Sequence, residues 1–314
     1  MSQPHGNVPH VRQEMMANAG GSLTERDLAM QKRARIAQVG EAFGKLVNWV
    51  ILLSGSMIFL LPLYLMFAMA LKTPAEAGQT STWAWPQNPT WDNFHLVLTN
   101  PNVSFQLFFK NTIFIAACTT VGVVFSAALV AYGFARIEFV GKDRMFIILL
   151  STMMLPGIVT MIPTYVFYAN VHWVNTFYPL IVPAFFGGGA FSIFLLRQFF
   201  MGLPRELDEA AFLDGASHWT IFWRVVVPLS GPALATIGLF TFIGTWRDFM
   251  GPLLYLNDPD KQTLELGLQT YNALRGEQWH LIMAASTLVT IPLIIIFIVG
   301  QRYFVKGIVM SGIK

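Results

Sequence analysis

The sequence predicts an all-α fold, a polytopic membrane protein with six transmembrane helices. Three observations lead there. Only 12% of the 314 residues are charged, against about 25% in a soluble globular domain. Hydrophobic residues make up 54% of the chain and the mean hydropathy is +0.54. These residues gather into runs that reach the roughly 20 positions a helix needs to cross a bilayer. Finally, lysine and arginine crowd into alternate connecting segments and leave the others nearly bare.

The apolar runs place spans at 47–71, 108–135, 145–169, 177–200, 229–256 and 280–304. The expected organisation starts with a cytoplasmic N-terminal tail and short amphipathic helix (1–45). A first span with its external loop covers 46–107. A five-helix core covers 108–304, with a cytoplasmic loop at 201–228, and a C-terminal tail covers 305–314. Pro62, Pro156, Pro163, Pro179 and Pro183 fall inside spans, where each removes a helical hydrogen bond that neighbouring helices must re-satisfy. The run Gly187-Gly188-Gly189 fits close helix packing through small residues or a hinge.

Charge placement sets the orientation, because cytoplasmic loops carry excess Lys and Arg. Fifteen of the twenty basic residues fall on one side, in 1–45, 136–144, 197–224 and 302–314. Four, Lys72, Lys110, Lys261 and Arg275, fall on the other, and Arg247 lies within span five. Both termini are therefore expected in the cytoplasm, and segments 72–107 and 257–279 outside.

Several function classes drop out. The single cysteine, Cys118, sits in an apolar run, and the six histidines are scattered, which gives no disulfide framework and no metal site. A net charge of +3 is too small for nucleic-acid binding. No cleavable leader is expected, since the first apolar run is too long for an h-region. Ser22 with Glu25 fits a capping box, opening a segment that lies on the inner leaflet or remains a solvated leader. Trp83, Trp85 and Trp91 form an interfacial aromatic belt or an external docking surface.

The segment between spans four and five is the most informative. Pro204 suits a first helical turn, and Glu206, Asp208 and Glu209 favour its positive end. Leu207, Ala210, Ala211 and Asp214 share one face, and Gly215 fits a left-handed stop. Ser217 caps a second helix with Trp219, Phe222, Trp223 and Val226 on its apolar stripe. Two short amphipathic helices thus meet at a glycine turn, with alanines that call for close packing.

Glu209-Ala210-Ala211-Phe212-Leu213-Asp214-Gly215-Ala216, followed by Val226-Val227-Pro228, resembles the Glu-Ala-Ala loop of binding-protein-dependent ABC importer permeases. Asp214-Gly215-Ala216 and the closing Gln301-Arg302-Tyr303-Phe304-Val305-Lys306-Gly307 resemble the carbohydrate-uptake branch, and in particular the six-span partner of the maltose-type pair. The resemblance covers residues 46–314 and implies a type I ABC importer permease architecture with no enzymatic activity of its own. It implies as partners two cytoplasmic ATP-binding subunits, a second homologous permease, an extracytoplasmic solute-binding protein and the lipid bilayer of the inner membrane. The loop would form a coupling helix seated in the ATPase, with Glu209 as its polar anchor, Ala210 and Ala211 as its packing face and Asp214-Gly215 as its turn. The chain carries no phosphate-binding G-x-x-x-x-G-K-[ST] loop, so ATP energy must come from a partner.

Trp246-Arg247-Asp248 falls inside the expected fifth span. Charges there face a partner or a wet cavity, so these residues either pair with another helix or line the translocation path. The family often carries Trp-Asn-Asp or Trp-Asn-Glu here, and Arg247 departs from it. A secondary transporter would show internal repeats, and a membrane hydrolase would need a clustered acid, base or metal set. The sequence shows neither.

Overall fold

A computed structural model describes residues 25–79, 81–100, 104–275 and 278–311. The expected cap at Ser22 and the terminal Gly312-Ile313-Lys314 lie outside them. Among the described residues all regular structure is helical. Four helices are long and apolar enough to cross a membrane, or six if each of two sharply bent pairs is one span.

The chain divides after Tyr64 into two compact units. Helix α1 (Glu25–Ala70) begins in the first and ends in the second. In the first unit its apolar side chains, Phe43, Trp49 and Phe59 among them, are exposed. Ser54 and Ser56 return their hydroxyls to the Ile51 and Leu52 carbonyls, which satisfies them without water.

In the second unit, α2 (Pro74–Gln79) and α3 (Asp92–Leu98) form the loop after α1. Buried Asn93 donates to the Ala70 and Lys72 carbonyls at 2.7 and 2.8 Å, capping the free C-terminus of α1. Trp83, Trp85 and Trp91 are all exposed.

Span two, α4 (Phe105–Arg136), is the axis of this unit. It has no proline, and its 32 residues rise about 48 Å, well past the roughly 30 Å hydrocarbon layer. Ala127, Ala131 and Ala135 recur every fourth residue and are buried, so one face is a smooth strip that lets other helices approach closely. Spans four and five pack on it.

Span three is α5 (Lys142–Ser151) with a 3₁₀ turn at Thr152–Met154, followed by α6 (Gly157–Asn170), bent by 96°. The bend has a sequence cause. A residue before proline is pushed out of the helical region, and Leu155, preceding Pro156, is extended at φ −77° and ψ 118°.

Span four is broken more thoroughly. It runs through α7 (Tyr178–Ile181), a 3₁₀ turn at Val182–Phe185, and α8 (Ala190–Met201). Between them Gly187, Gly188 and Gly189 all have positive φ. Span-two hydroxyls meet carbonyls in the irregular part: Thr119 donates to Leu180 O at 3.1 Å, and Ser126 Oγ lies 2.7 Å from Ala184 O. A Cβ on Gly188 would sit 2.6 Å from the Val123 carbonyl oxygen and 2.8 Å from the Ala127 Cβ, so close packing governs this glycine. Gly188→Ala is therefore expected to destabilise the protein by about 1–3 kcal/mol. Gly133→Ala, with open space around it, should be near neutral; thermal unfolding in detergent compares the two.

The fifth span also differs from the continuous helix expected over 229–256. After α9 (Glu206–Leu213), α10 (His218–Ile221) passes through a π turn at Phe222–Val226 into α11 (Val227–Leu229). The chain then bends by 78° into α12 (Gly231–Trp246). A proline ring crowds the carbonyl four residues back, and the wider π turn gives Pro228 that room. Helix α13 (Met250–Tyr255), a 3₁₀ turn at Pro259–Lys261 and α14 (Leu264–Arg275) follow. Finally α15 (Trp279–Ser311) runs through the boundary expected at 304. Its hydroxyls at Ser286, Thr287 and Thr290 bond back to carbonyls four residues earlier.

Candidate functional site

The core unit has two differently built ends. At one, Asn111 near the start of span two donates to the Asp260 and Gln262 carbonyls, at 2.9 and 3.0 Å. The Thr112 hydroxyl accepts from Leu264 N at 2.8 Å. Asn175, held at φ 63°, accepts from the Asn257 and Asp258 amides through Oδ1. Lys261 Nζ donates to the Asn175 carbonyl at 2.9 Å. These bonds tie the start of span two and the loop after span three to the segment after span five.

Trp246 lies near this end and is 1% exposed. It stacks on Phe242, meets Phe109 edge-on and donates its indole N–H to the Val289 carbonyl at 3.3 Å, so it joins spans two, five and six. The expected helix stops there. Arg247 is the C-cap residue, with φ −93° and ψ 5°, and Asp248 Oδ1 accepts from Gly251 N at 3.1 Å at the start of α13. Arg247 and Asp248 thus mark the C-terminal end of α12 rather than positions inside a continuous helix. Arg247 is exposed; its backbone N–H donates to the Ile243 carbonyl at 3.2 Å, while its side chain makes no hydrogen bond or ion pair among the described residues. Glu265 lies within its field. Burial pushes the Glu265 carboxyl above the usual carboxylate range, and the Arg247 charge pulls the other way.

The opposite end carries α9, and here the local geometry follows the sequence closely. Glu206, Asp208 and Glu209 occupy its first turn, where the helix dipole favours anions. At its C-terminus, Gly215 N donates to Phe212 O and Ala216 N to Ala211 O, both at 2.9 Å. With Gly215 at φ +82°, this is the paired-bond arrangement of a Schellman stop. Ser217 then caps α10 by accepting from Thr220 N at 3.3 Å.

The faces of α9 are divided differently from the expected grouping of Leu207, Ala210, Ala211 and Asp214. Asp208 and Ala211, one turn apart, point towards the body of the protein, and Ala211 packs on the main core cluster. Glu206, Glu209, Ala210 and Leu213 are exposed, Leu213 by 90%. Asp214 is exposed as well. The helix therefore has a fastened face and an open, partly apolar face.

The fastening partners of Asp208 and of the helix ends lie on other helices, at positions that sequence reasoning did not single out. Arg136, the last residue of span two, reaches Asp208 Oδ2 with Nη1 at 3.2 Å, and the two side chains are 3% and 13% exposed. Its Nη2 donates to the Leu203 carbonyl at 2.9 Å. One turn earlier, the Tyr132 hydroxyl lies 3.2 Å from His218 Nδ1. Arg197 donates from Nε to Phe134 O and lies over the Phe146 ring at 4.0 Å. A basic residue ending a span opposite an acidic helix start was the available signal. Among the described residues no group of three or more His, Cys, Asp and Glu is placed to hold a metal ion.

Comparison with known proteins identifies the family. Residues 123–310 match the family described as binding-protein-dependent transport system inner membrane component. The probable ABC transporter permease YurM of Bacillus subtilis is 32% identical over 86% of this chain and 89% of its own length. The trehalose/maltose transport system permease MalG of Thermococcus litoralis is 35% identical over 72% of this chain and 81% of its own. A solved bacterial ABC transporter involved in the import of the acidic polysaccharide alginate contains a chain with TM-score 0.73 and 25% identity. The match covers 84% of this chain and 98% of that one. With the α9–α10 loop and spans three to six inside the matched residues, this chain belongs to the family of inner membrane components of binding-protein-dependent transport systems, a family of membrane permeases and not of enzymes.

Proposed function

We propose that this chain is a permease subunit of an ATP-driven importer of a sugar or sugar derivative, and that α9 is its coupling helix. The observation that carries this reading is the two-faced α9. Its inner face is fixed by a buried ion pair and Ala211, and its outer face presents Glu209, Ala210 and Leu213 with nothing of the described chain upon them. A solvated connector has no need of a bare leucine beside an ordered acidic first turn. The partners of this reading are two cytoplasmic ATP-binding subunits, a second homologous permease and an extracytoplasmic solute-binding protein. The sugar class comes from the relatives, one named for trehalose and maltose and one for alginate import. Trp246 and Asp248 act structurally in it. Exposed Arg247 is left to meet the solute path or the sister permease.

Glu209→Ala removes a charge-assisted hydrogen bond to the ATPase, which costs about 1.5–3 kcal/mol, or roughly one to two orders of magnitude in docking affinity. Leu213→Asp should abolish docking. Co-purification of the ATPase with each variant tests this; wild-type recovery in both would reduce the loop to a connector.

Orientation follows from the asymmetry of basic residues, with the α9 end cytoplasmic. Cysteines at Gln87 and Val140, both exposed, discriminate. The first should react with an impermeant maleimide on intact cells, and the second only after permeabilisation. The reverse pattern would invert the topology and remove α9 from any cytoplasmic ATPase.

A further inference from the structure

We infer that span two, gripped at its inner end through Tyr132 and Arg136, carries the motion of the coupling helix into the membrane, and that Arg136 is the positioning residue of that linkage. This rests on the coupling reading of α9.

Two side chains one helical turn apart hold three successive parts of the loop. Arg136 holds the turn before α9 through the Leu203 carbonyl and α9 itself through Asp208. Tyr132 holds the start of α10 through His218. The Arg136–Asp208 pair is nearly closed to solvent, so it is screened much less than a surface pair. Neither partner can leave without stranding the other's charge.

The covalent routes out of the loop are looser. Towards span four the chain passes through Gly202-Leu203-Pro204, and α8 beyond ends at three positive-φ glycines. Towards span five it passes the Gly215 turn, a π turn and the 78° bend. Each is a place where displacement is absorbed. Span two is instead one unbroken helix of 32 residues, and a helix transmits displacement along its axis. Farther along, the same helix meets the broken part of span four through Ser126 and Ala127 and lies against Gly238 of span five through Thr120 and Val124. Motion of α9 thus reaches both broken spans through span two.

The test uses the assembled importer with its ATPase, sister permease and binding protein. It measures ATPase recovery, solute-stimulated ATP hydrolysis and uptake for Arg136→Gln, Asp208→Asn and their combination. Each single variant is expected to retain its ATPase, since the outer face of α9 is untouched, yet to lose at least tenfold in stimulation and uptake. The combination should be no worse than the worse single variant, because both break one link. Arg136→Lys, which keeps the charge but loses the fork, should fall between.

Wild-type stimulation in Arg136→Gln, or losses that multiply in the combination, would overturn the inference. Should Arg136→Gln fail to assemble, Tyr132→Phe decides: loss of one hydroxyl is expected to lower stimulation at least twofold with assembly intact, and unchanged stimulation overturns the linkage. Leu213→Asp separates the two ideas. If it sheds the ATPase while Arg136→Gln stays fully stimulated, α9 still couples and span two is not its route. If it keeps the ATPase, the coupling reading itself has failed.

Discussion

Gly215→Val is expected to abolish transport while the protein still inserts in the membrane. Gly215 sits at φ +82° and has open space around it, so the cost is one of backbone conformation and not of crowding. An L-residue in the left-handed region costs about 1–2 kcal/mol, and a β-branched one is a stronger outlier. The turn relaxes that strain by leaving the left-handed conformation, which breaks the bonds from Gly215 N and Ala216 N to Phe212 O and Ala211 O. It also re-aims α10, whose His218 meets both Tyr132 and Phe212. Gly215→Pro should be equally severe, because proline fixes φ near −65° and removes the donor to Phe212. Gly215→Ala should keep partial activity. Uptake by vesicles, normalised to inserted protein, ranks the three; full uptake with valine would show that the turn geometry does not matter.

The second large effect is expected at Trp246. Trp246→Ala removes the largest of the fully buried side chains among the described residues and leaves a cavity where spans two, five and six meet. Truncating a buried aromatic costs about 3–5 kcal/mol. Within a bilayer the helices are held by such packing and not by exclusion from water, so little else compensates. Trp246→Phe keeps most of the contact with Phe109 and Phe242 and loses the bond to Val289 O, a change of about 0.5–1.5 kcal/mol. Thermal unfolding in detergent should show a large drop for alanine and a small one for phenylalanine. Equal, small shifts would mean that the junction is held by something other than this side chain.

Much of the protein is legible without its structure because a bilayer imposes length and polarity one helix at a time. The number of spans, the proline that bends the third and the glycine that ends α9 are consequences of local chemistry. Leu155 is extended because Pro156 follows it, and Gly215 is left-handed because a helix stops there. Both causes lie within two residues of their effect. The shape of span five was less legible. An apolar run signals membrane, but not whether the helix within it continues, and α12 stops at Trp246 where Asp248 finds a backbone donor nearby.

The faces of α9 were legible only in part. Helical spacing groups Leu207, Ala210, Ala211 and Asp214, but spacing alone does not say which way a helix is rolled. The roll is decided by Arg136, 72 residues away from Asp208 in sequence, at the end of a helix long enough to emerge from the membrane beside it. The sequence alone therefore determined the class of this protein, its spans and its glycine turn, since each depends on interactions within a segment. The tertiary structure alone decided which side of α9 is fastened and which is left open, because that depends on a buried charge pair between segments whose approach no local pattern encodes.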